Sequence, residues 1–215
     1  LDGIDGSELE ITDFVWYGGE ASYENVEMLM ETEAVKNADM IFAVGGGRVM
    51  DTCKVVRERL DKPMFTFPTL GSNCAATTSI AVIYHPDGSV NNYFYGKIPA
   101  EHIFINTKII AESPEHMFWA GIGDAISKEL EAQLAIRGHK ADHTPLMGNQ
   151  LSLICIDPLI EYGKKAYEDC KNNTESFELE QVVLDIIKNI DSSLTIHDFR
   201  ITDGVSRINV IFDLV

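Results

Sequence analysis

Residues 40–54 read MIFAVGGGRVMDTCK, and this stretch decides the predicted fold. Its first five residues are continuously apolar, which is typical of a strand buried on both faces of a parallel sheet. Three glycines follow, and apolar residues then recur at near-helical spacing as far as Leu60. In this pattern the charged residues fall largely on the opposite side of the predicted helix: Arg48, Asp51, Lys54, Arg57, Glu58 and Arg59.

The glycine turn is a candidate anion-binding site. A strand, a glycine turn and a helix together present bare backbone N–H groups at a helix N-terminus, which suits a pyrophosphate. A plain tight turn is the alternative. Three consecutive glycines lose more backbone entropy than a plain turn requires. Gly45, Gly46 and Gly47, with Arg48 beside them, therefore favour binding of nucleotide phosphate.

The flanking segments alternate between strand and helix patterns. Residues 9–17 have strand composition, a helix begins near Ser22, and residues 63–68 form the strand after the central helix. This β-α-β-α-β order predicts a parallel sheet with helices on its faces. An inserted hairpin and a short strand follow, over residues 79–84, 91–95 and 102–105.

The chain is helical from Ser113 onward. The glycines before Asp124 predict a break between a helix that begins near Pro114 and another that ends near Arg137. Further helices are predicted over residues 149–156, 158–170 and 174–190, and two final strands over residues 194–202 and 205–215. The fold class is therefore α/β. We divide it into a Rossmann-like domain (1–112), the start of an all-helical domain (113–187) and a C-terminal β-hairpin (188–215).

Composition narrows the range of partners. The 215 residues carry a net charge of −17, from 34 acidic and 17 basic residues, with no basic cluster. Nucleic acids and anionic membranes are therefore poor partners. No apolar stretch approaches the roughly 20 residues of a membrane span. The cysteines, at positions 53, 74, 155 and 170, form no C-x-x-C motif and predict reduced thiols in a cytoplasmic protein. The sequence begins at Leu1 and stops within a strand-like segment, so we expect both ends to be cut.

Two further places could carry chemistry. Thr69, Ser72 and Asn73 follow a strand C-terminus, where open α/β sheets bind ligands, and could complete a phosphate cradle or hold a nicotinamide ribose. Ordinary turn chemistry is the alternative. Asp124, at the predicted start of a helix, is either an N-cap or a catalytic or metal-binding carboxylate.

The histidines offer little for a metal site. His139 and His143 have the i, i+4 spacing of helical metal ligands. Gly138 and Pro145 instead predict a loop there, with both side chains in solvent. The other candidates are isolated in the sequence: His85, His102 and His116.

Three motifs in order carry a family resemblance. AVGGGRVMDTCK resembles the G-G-G-x-x-x-D-x-x-K signature of the iron-containing alcohol dehydrogenase family. PTLGSNCAATTSIAVIY looks like the second nucleotide loop and following strand of its glycerol-dehydrogenase-like branch, and WAGIGDAISKELEA like the segment with the first metal ligand. The similarity extends over residues 9–187, with truncation at both ends.

The resemblance implies a Rossmann-like domain, a helical domain, and NAD or NADP with a divalent metal, zinc or iron, between them. It implies that Asp124 is a catalytic metal ligand. It also implies a small-molecule alcohol or carbonyl substrate and allows a homo-oligomer. The implied cofactor-binding positions are Gly45, Gly46, Gly47, Arg48, Thr69, Ser72, Thr78, Ile80 and Tyr84.

The sequence departs from this family in three ways. Cys74 stands where glycerol dehydrogenases would carry an Asp near the substrate, so glycerol is not fixed as the substrate. The histidine ligands belong to a part of the helical domain that has no match here. Residues 184–215 instead weakly resemble the cytoplasmic domain of cation diffusion facilitators, with His197 and Asp213 at metal-binding positions. A hairpin with one solvent-facing histidine is the alternative.

Two hypotheses follow. The first is a metal-dependent, NAD(P)-linked alcohol or polyol dehydrogenase, or an incomplete and inactive form of one. The second is a non-catalytic domain, which would be either a nucleotide-binding remnant or a metal-binding regulatory module built on the tail. The absent histidines separate the two, because they count against turnover by this chain.

Overall fold

A computed structural model describes residues 9–138, 140, 142–154 and 156–187, together with the strands at 196–203 and 208–214. The helices are α1 (Tyr23–Glu31), α2 (Glu33–Asn37), α3 (Gly47–Leu60), α4 (Thr107–Ala111), α5 (Glu115–Ile136), α6 (His143–Ile154), α7 (Ile156–Lys171) and α8 (Phe177–Ile187). The strands are β1 (Ile41–Gly45), β2 (Met64–Pro68), β3 (Ile80–Tyr84), β4 (Val90–Tyr95), β5 (His102–Ile103), β6 (Ile196–Asp203) and β7 (Ile208–Leu214).

The central sheet is parallel, as predicted. Its order is β1-β2-β5, and Ile41 pairs with Met64 at the start of the β1–β2 ladder. Helix α3 connects β1 to β2 and packs against both strands. The inserted hairpin is also confirmed, since β3 and β4 pair antiparallel with Ile80 opposite Tyr95. The α/β fold class and the strand–glycine–helix unit at residues 40–60 are therefore confirmed.

The expectation that β1 is buried on both faces is wrong. Only Ala43 of this strand is fully buried, and Val44 is 58% exposed. Helix α3 packs against β1 and β2 on one face of the sheet, and α1 packs against α3. On the opposite face the Phe67 ring contacts those of Phe42 and Phe104. The Phe67 and Phe104 rings are stacked, with 4.8 Å between their centroids. The position and length of the strand were predicted correctly. Whether both of its faces are buried depends on which distant elements pack against the sheet, and the local sequence pattern does not show this.

Residues 9–17 form no strand, contrary to prediction. Phe14 and Trp16 are 75% and 71% exposed. Strand composition favours a pleated conformation, but a strand exists only where a neighbouring strand supplies the hydrogen-bonding ladder. No ladder forms with residues 9–17 in the part of the chain that the structure describes. The segment instead leads to Ser22, whose side chain caps α1 by accepting a hydrogen bond from the Asn25 N–H at 3.3 Å.

The predicted break before Asp124 is also wrong, because α5 runs continuously from Glu115 to Ile136. Gly121 lies in this helix for a packing reason. A Cβ atom at Gly121 would lie 1.9 Å from the Gly71 carbonyl oxygen, so only glycine allows α5 to approach the loop after β2 this closely. Asp124 is therefore a mid-helix residue and does not cap a helix.

Helix α6 begins earlier than predicted. His143 is its first residue and Pro145 its third, so the predicted loop is wrong for this stretch. Proline is tolerated in a first turn because its missing N–H has no intrahelical acceptor there. His139 lies outside the described residues.

Two apolar clusters hold the described residues together. One lies between α1, α3 and β3 and includes Val26, Val55 and Ile83. The other extends from Ala43 through Phe118 to the buried face of α8. The Thr77 hydroxyl adds a 2.8 Å hydrogen bond to the carbonyl of Ile187. The division into three domains stays a prediction.

Strands β6 and β7 pair antiparallel, with His197 opposite Asp213. Two strands were predicted in this tail, and both are present. The segments 188–195 and 204–207 lie outside the described residues. The metal-binding expectation for His197 and Asp213 stays a prediction. Among the described helices, none has both the length and the apolar character that crossing a membrane would require.

Candidate functional site

A cleft of about 900 Å³ opens at the N-terminus of α3. The first turn of α3, the loop after β2 and the β3–β4 hairpin all contribute to its lining. Helix α5 also contributes to the lining. The predicted site residues among its lining are Gly46, Gly47, Arg48, Ser72, Thr78, Ile80, Tyr84 and Asp124. Residues that the motifs did not single out complete the lining, among them Tyr17, Tyr93, Tyr95, Met117 and Lys128.

The glycine turn is closely packed against the loop after β2. Gly46 is the N-cap of α3, and a Cβ there would lie 2.9 Å from Leu70 Cδ1. A Cβ on Gly47 would lie 2.7 Å from the Asn73 side chain. Gly45 has a φ of +152°, which disfavours any other residue. The turn therefore requires glycines both for backbone conformation and for this close approach.

The N-terminus of α3 has the electrostatics of an anion site. The first N–H groups of a helix, here those of Gly47 and Arg48, lack the acceptor that a preceding turn would supply, whereas the Val49 N–H donates to the Gly46 carbonyl at 3.1 Å. The helix dipole adds partial positive charge at this end. No acidic residue lies in this first turn. Arg48 extends from the turn, is mostly exposed, and pairs through Nε with Glu20 Oε1 at 3.2 Å. Because Glu20 balances part of the Arg48 charge, the helix N-terminus is the main source of positive potential at the turn.

Beneath the turn, α3 carries a buried ionic network that reasoning from the sequence missed. Asp51, Lys54 and Arg57 were expected largely away from the apolar side of α3, but all three are buried. Lys54 Nζ lies 2.9 Å from Asp51 Oδ1. Burial raises the pKa of Asp51, against the opposing effects of the Lys54 ammonium and the Val82 N–H. The i, i+3 spacing of the three residues places them on one helix face, but only their distant partners show that this face is buried.

Asp124 lies in the cleft beside a lysine. Lys128 Nζ is 3.3 Å from Asp124 Oδ1 and 3.4 Å from Glu131 Oε2. Burial tends to lower the pKa of Lys128, but the charges of Asp124, Cys74 and Glu131 outweigh it and raise the pKa. Asp124 therefore faces an ammonium group here. Within the described residues, no three His, Cys, Asp or Glu side chains lie close enough to hold a metal ion.

Two predicted site residues do not line this cleft. Gly45 ends β1 just behind the turn, and its carbonyl accepts a 3.0 Å hydrogen bond from the Thr69 N–H. Thr69 lines a smaller cavity of about 380 Å³ with Val44, Phe67 and Phe104. The structure thus gathers eight of the ten predicted site residues at the cleft.

Comparison with known proteins agrees with this geometry. Residues 1–105 match the model of the iron-containing alcohol dehydrogenase family. This part of the chain is similar in sequence to the iron-containing alcohol dehydrogenases. Among curated relatives, glycerol dehydrogenase of Thermotoga maritima is 30% identical over 171 residues, which is 78% of this chain and 47% of that protein. Glycerol dehydrogenase 1 of Schizosaccharomyces pombe is 31% identical over 184 residues, or 83% of this chain and 40% of the relative.

Solved structures of a glycerol dehydrogenase and of an alcohol dehydrogenase share the fold. The crystal structure of glycerol dehydrogenase from Schizosaccharomyces pombe superimposes with a TM-score of 0.70 at 31% identity, covering 80% of this chain and 44% of that one. An archaeal halo-thermophilic alcohol dehydrogenase matches with a TM-score of 0.71 at 18% identity, which supports the fold alone. The chain spans about half the length of the curated relatives that it matches.

Proposed function

We propose that this chain binds a nicotinamide dinucleotide, NAD or NADP, as the nucleotide-binding part of a glycerol-dehydrogenase-like alcohol or polyol dehydrogenase. The observation that carries the proposal is the cleft at the N-terminus of α3. Its volume of about 900 Å³ lies within the range of about 300–1,000 Å³ that is usual for ligand sites. The relationship to enzymes named glycerol dehydrogenase supports the same conclusion.

The residues of the cleft have distinct roles in this proposal. The backbone N–H groups at Gly47 and Arg48 bind the pyrophosphate, and the Arg48 guanidinium adds a positive charge. Thr78, Ile80 and Tyr84 form the opposite wall and orient the dinucleotide. Ser72 offers a hydroxyl near the turn. When bound, the nicotinamide supplies a hydride acceptor or donor for the oxidation of an alcohol or the reduction of a carbonyl.

The metal half of the proposed chemistry is not complete in the described residues. A catalytic zinc takes about three protein ligands and an open position. Asp124 offers one carboxylate, and Lys128 already pairs with it. The described residues alone therefore do not fit a zinc or iron ion, and a metal-dependent reaction would need further ligands.

A second candidate function follows from the same observation. The chain would act as a non-catalytic nucleotide-binding unit, because nucleotide binding requires only the cleft that is present.

Four further features belong to the proposal: a small-molecule alcohol or carbonyl substrate, a homo-oligomer, a cytoplasmic location and metal binding by the β6–β7 tail. The described thiols, Cys53, Cys74 and Cys170, form no disulfide, which agrees with a reducing compartment.

A fluorescence titration with NADH tests the proposed cleft, using the variant Gly46→Asp. Aspartate is a favoured N-cap, so α3 still begins at this position, and its carboxylate occupies the anion site. Its Cβ must displace the Leu70 side chain, which would lie 2.9 Å away, so circular dichroism first checks that the variant is folded. We expect saturable binding to the unmodified chain, weakened by about tenfold or more in the variant. Ile160→Asp adds the same charge to an exposed site on α7 and serves as the control.

The outcomes separate the two candidate functions. Binding that responds to Gly46→Asp and not to Ile160→Asp supports the cleft. Turnover of an alcohol on addition of zinc or iron would favour the dehydrogenase, whereas binding without turnover would favour the non-catalytic unit. Absence of NADH binding by the unmodified chain would overturn both.

A further inference from the structure

The buried ammonium group of Lys54 connects α3 to the hairpin that faces it. Its side chain is only 3% exposed. Nζ donates to Asp51 Oδ1 at 2.9 Å, to the Thr78 hydroxyl at 3.0 Å and to the Ile80 carbonyl at 2.6 Å. An ammonium group has three donors, so all of its hydrogen-bonding capacity is used.

Asp51 adds a second link between α3 and β3, to Val82. While Oδ1 accepts from Lys54, Oδ2 accepts a hydrogen bond from the Val82 N–H at 3.2 Å. The pair therefore fastens the start of β3 at Thr78, Ile80 and Val82. All three of these residues line the cleft, whereas Lys54 does not.

A buried ion pair such as Lys54–Asp51 contributes little net stability. The desolvation of two charges offsets most of their attraction, and an apolar pair of similar shape is often as stable. The ammonium group instead lies where it fixes the distance between α3 and β3. One side of the cleft is the first turn of α3, the other is β3, and Lys54 joins the two elements beneath the cleft.

We propose that Lys54 is a positioning residue for the dinucleotide, which acts by holding Thr78 and Ile80 at a fixed separation from the Gly46–Gly47 turn. This inference rests on the proposed function. Loss of the ammonium group frees the start of β3 from α3, so the cleft must be ordered again each time a nucleotide binds. Affinity falls while the fold remains.

The chain offers a matched control in Lys62. Its Nζ also donates to three acceptors, the carbonyls of Val35, Lys36 and Ala38. These acceptors lie in α2 and just after it, and none of them lines the cleft. Lys62→Met therefore removes a comparable set of hydrogen bonds without touching the cleft.

The test is an NADH titration of the full chain carrying Lys54→Met, the double change Asp51→Asn with Lys54→Met, or Lys62→Met. The double variant leaves no unpaired buried charge. Each titration is made at a temperature where circular dichroism shows the variant to be folded. We expect the Lys54 variants to weaken NADH binding by about tenfold, a usual size for energetic coupling between sites. We expect Lys62→Met to lower the melting temperature with its Kd within about twofold of the unmodified chain.

Several results would overturn the role of Lys54. One is a folded double variant that binds NADH as the unmodified chain does. Another is an equal loss of affinity in Lys62→Met, which would indicate general loosening. Failure of both Lys54 variants to fold would make the residue a requirement of the fold itself. An unmodified chain that does not bind NADH would instead contradict the proposed function.

Discussion

The sharpest structural prediction concerns Gly121, where α5 touches the loop that follows β2. In Gly121→Ala the new Cβ would lie 1.9 Å from the Gly71 carbonyl oxygen. Carbon and oxygen in contact are normally about 3.3 Å apart, so helix and loop must separate by roughly 1.4 Å. Overpacking of this kind costs about 1–3 kcal/mol, against a gain of about 1 kcal/mol from replacing a helical glycine. We therefore expect a net loss of up to about 2 kcal/mol in the free energy of unfolding.

The same displacement should reach the cleft. Ser72 and Asn73 belong to the displaced loop, and Asn73 packs against the Gly47 position. A misplacement of about 1 Å can cost an enzyme about 100-fold in reaction rate, and displacement of a loop that lines the cleft disturbs its fit to a ligand in the same way. Gly121→Ala should therefore weaken NADH binding as well as stability.

Gly123 provides the control for this prediction, because it lies in the same helix and a Cβ there meets nothing within 4 Å. Gly123→Ala should raise the free energy of unfolding by about 0.5–1 kcal/mol and leave NADH binding unchanged. Urea denaturation followed by circular dichroism measures the stability of both variants, and NADH fluorescence measures their affinity. If Gly121→Ala were as stable as Gly123→Ala and bound NADH equally well, the close approach of α5 to Gly71 would be refuted.

Two further predictions concern the stability of the surrounding helices. Burial raises the pKa of Asp185 in α8 to about 6, and its Oδ2 has no hydrogen-bond partner among the described residues. Because the folded pKa lies above the unfolded value of about 4, the stabilising contribution is complete below pH 4 and is lost as the pH rises through about 6. Asp185→Asn should remove this loss of stability. Discounted for the partial exposure of Asp185, the free energy of unfolding should rise by about 1 kcal/mol at pH 8 and change little at pH 4. Equal effects at both pH values in urea denaturation would contradict this prediction. Ser22→Ala removes the cap of α1 and should cost about 1 kcal/mol, measured by the same denaturation, whereas Ser22→Asn should restore most of it.

Local patterns predicted the elements that position the site. The apolar run and three glycines at residues 40–47 identify β1 and the start of α3, because the strand, the turn and the first helical turn depend on adjacent residues. The β3–β4 hairpin was predicted for the same reason. A turn signal at Pro86–Gly88 joins two segments of strand composition.

Distant partners explain what the sequence could not predict. Lys54 has the spacing of a solvent-facing residue, and its burial depends on Thr78 and Ile80, more than twenty residues away along the chain. Gly121 looks like a helix breaker until the Gly71 carbonyl is placed against it. Residues 9–17 likewise have a composition that favours the extended conformation, but the segment forms no strand because no neighbouring strand among the described residues pairs with it.

Hydrogen exchange of the full chain, measured with and without saturating NADH, tests the central claim most directly. We expect slower exchange at the first turn of α3 and across residues 72–82, with no change in α8. These are the segments that would enclose the dinucleotide. Unchanged exchange at Gly46 and Gly47, or protection confined to the smaller cavity at Val44 and Phe104, would contradict the claim that this cleft binds the nucleotide.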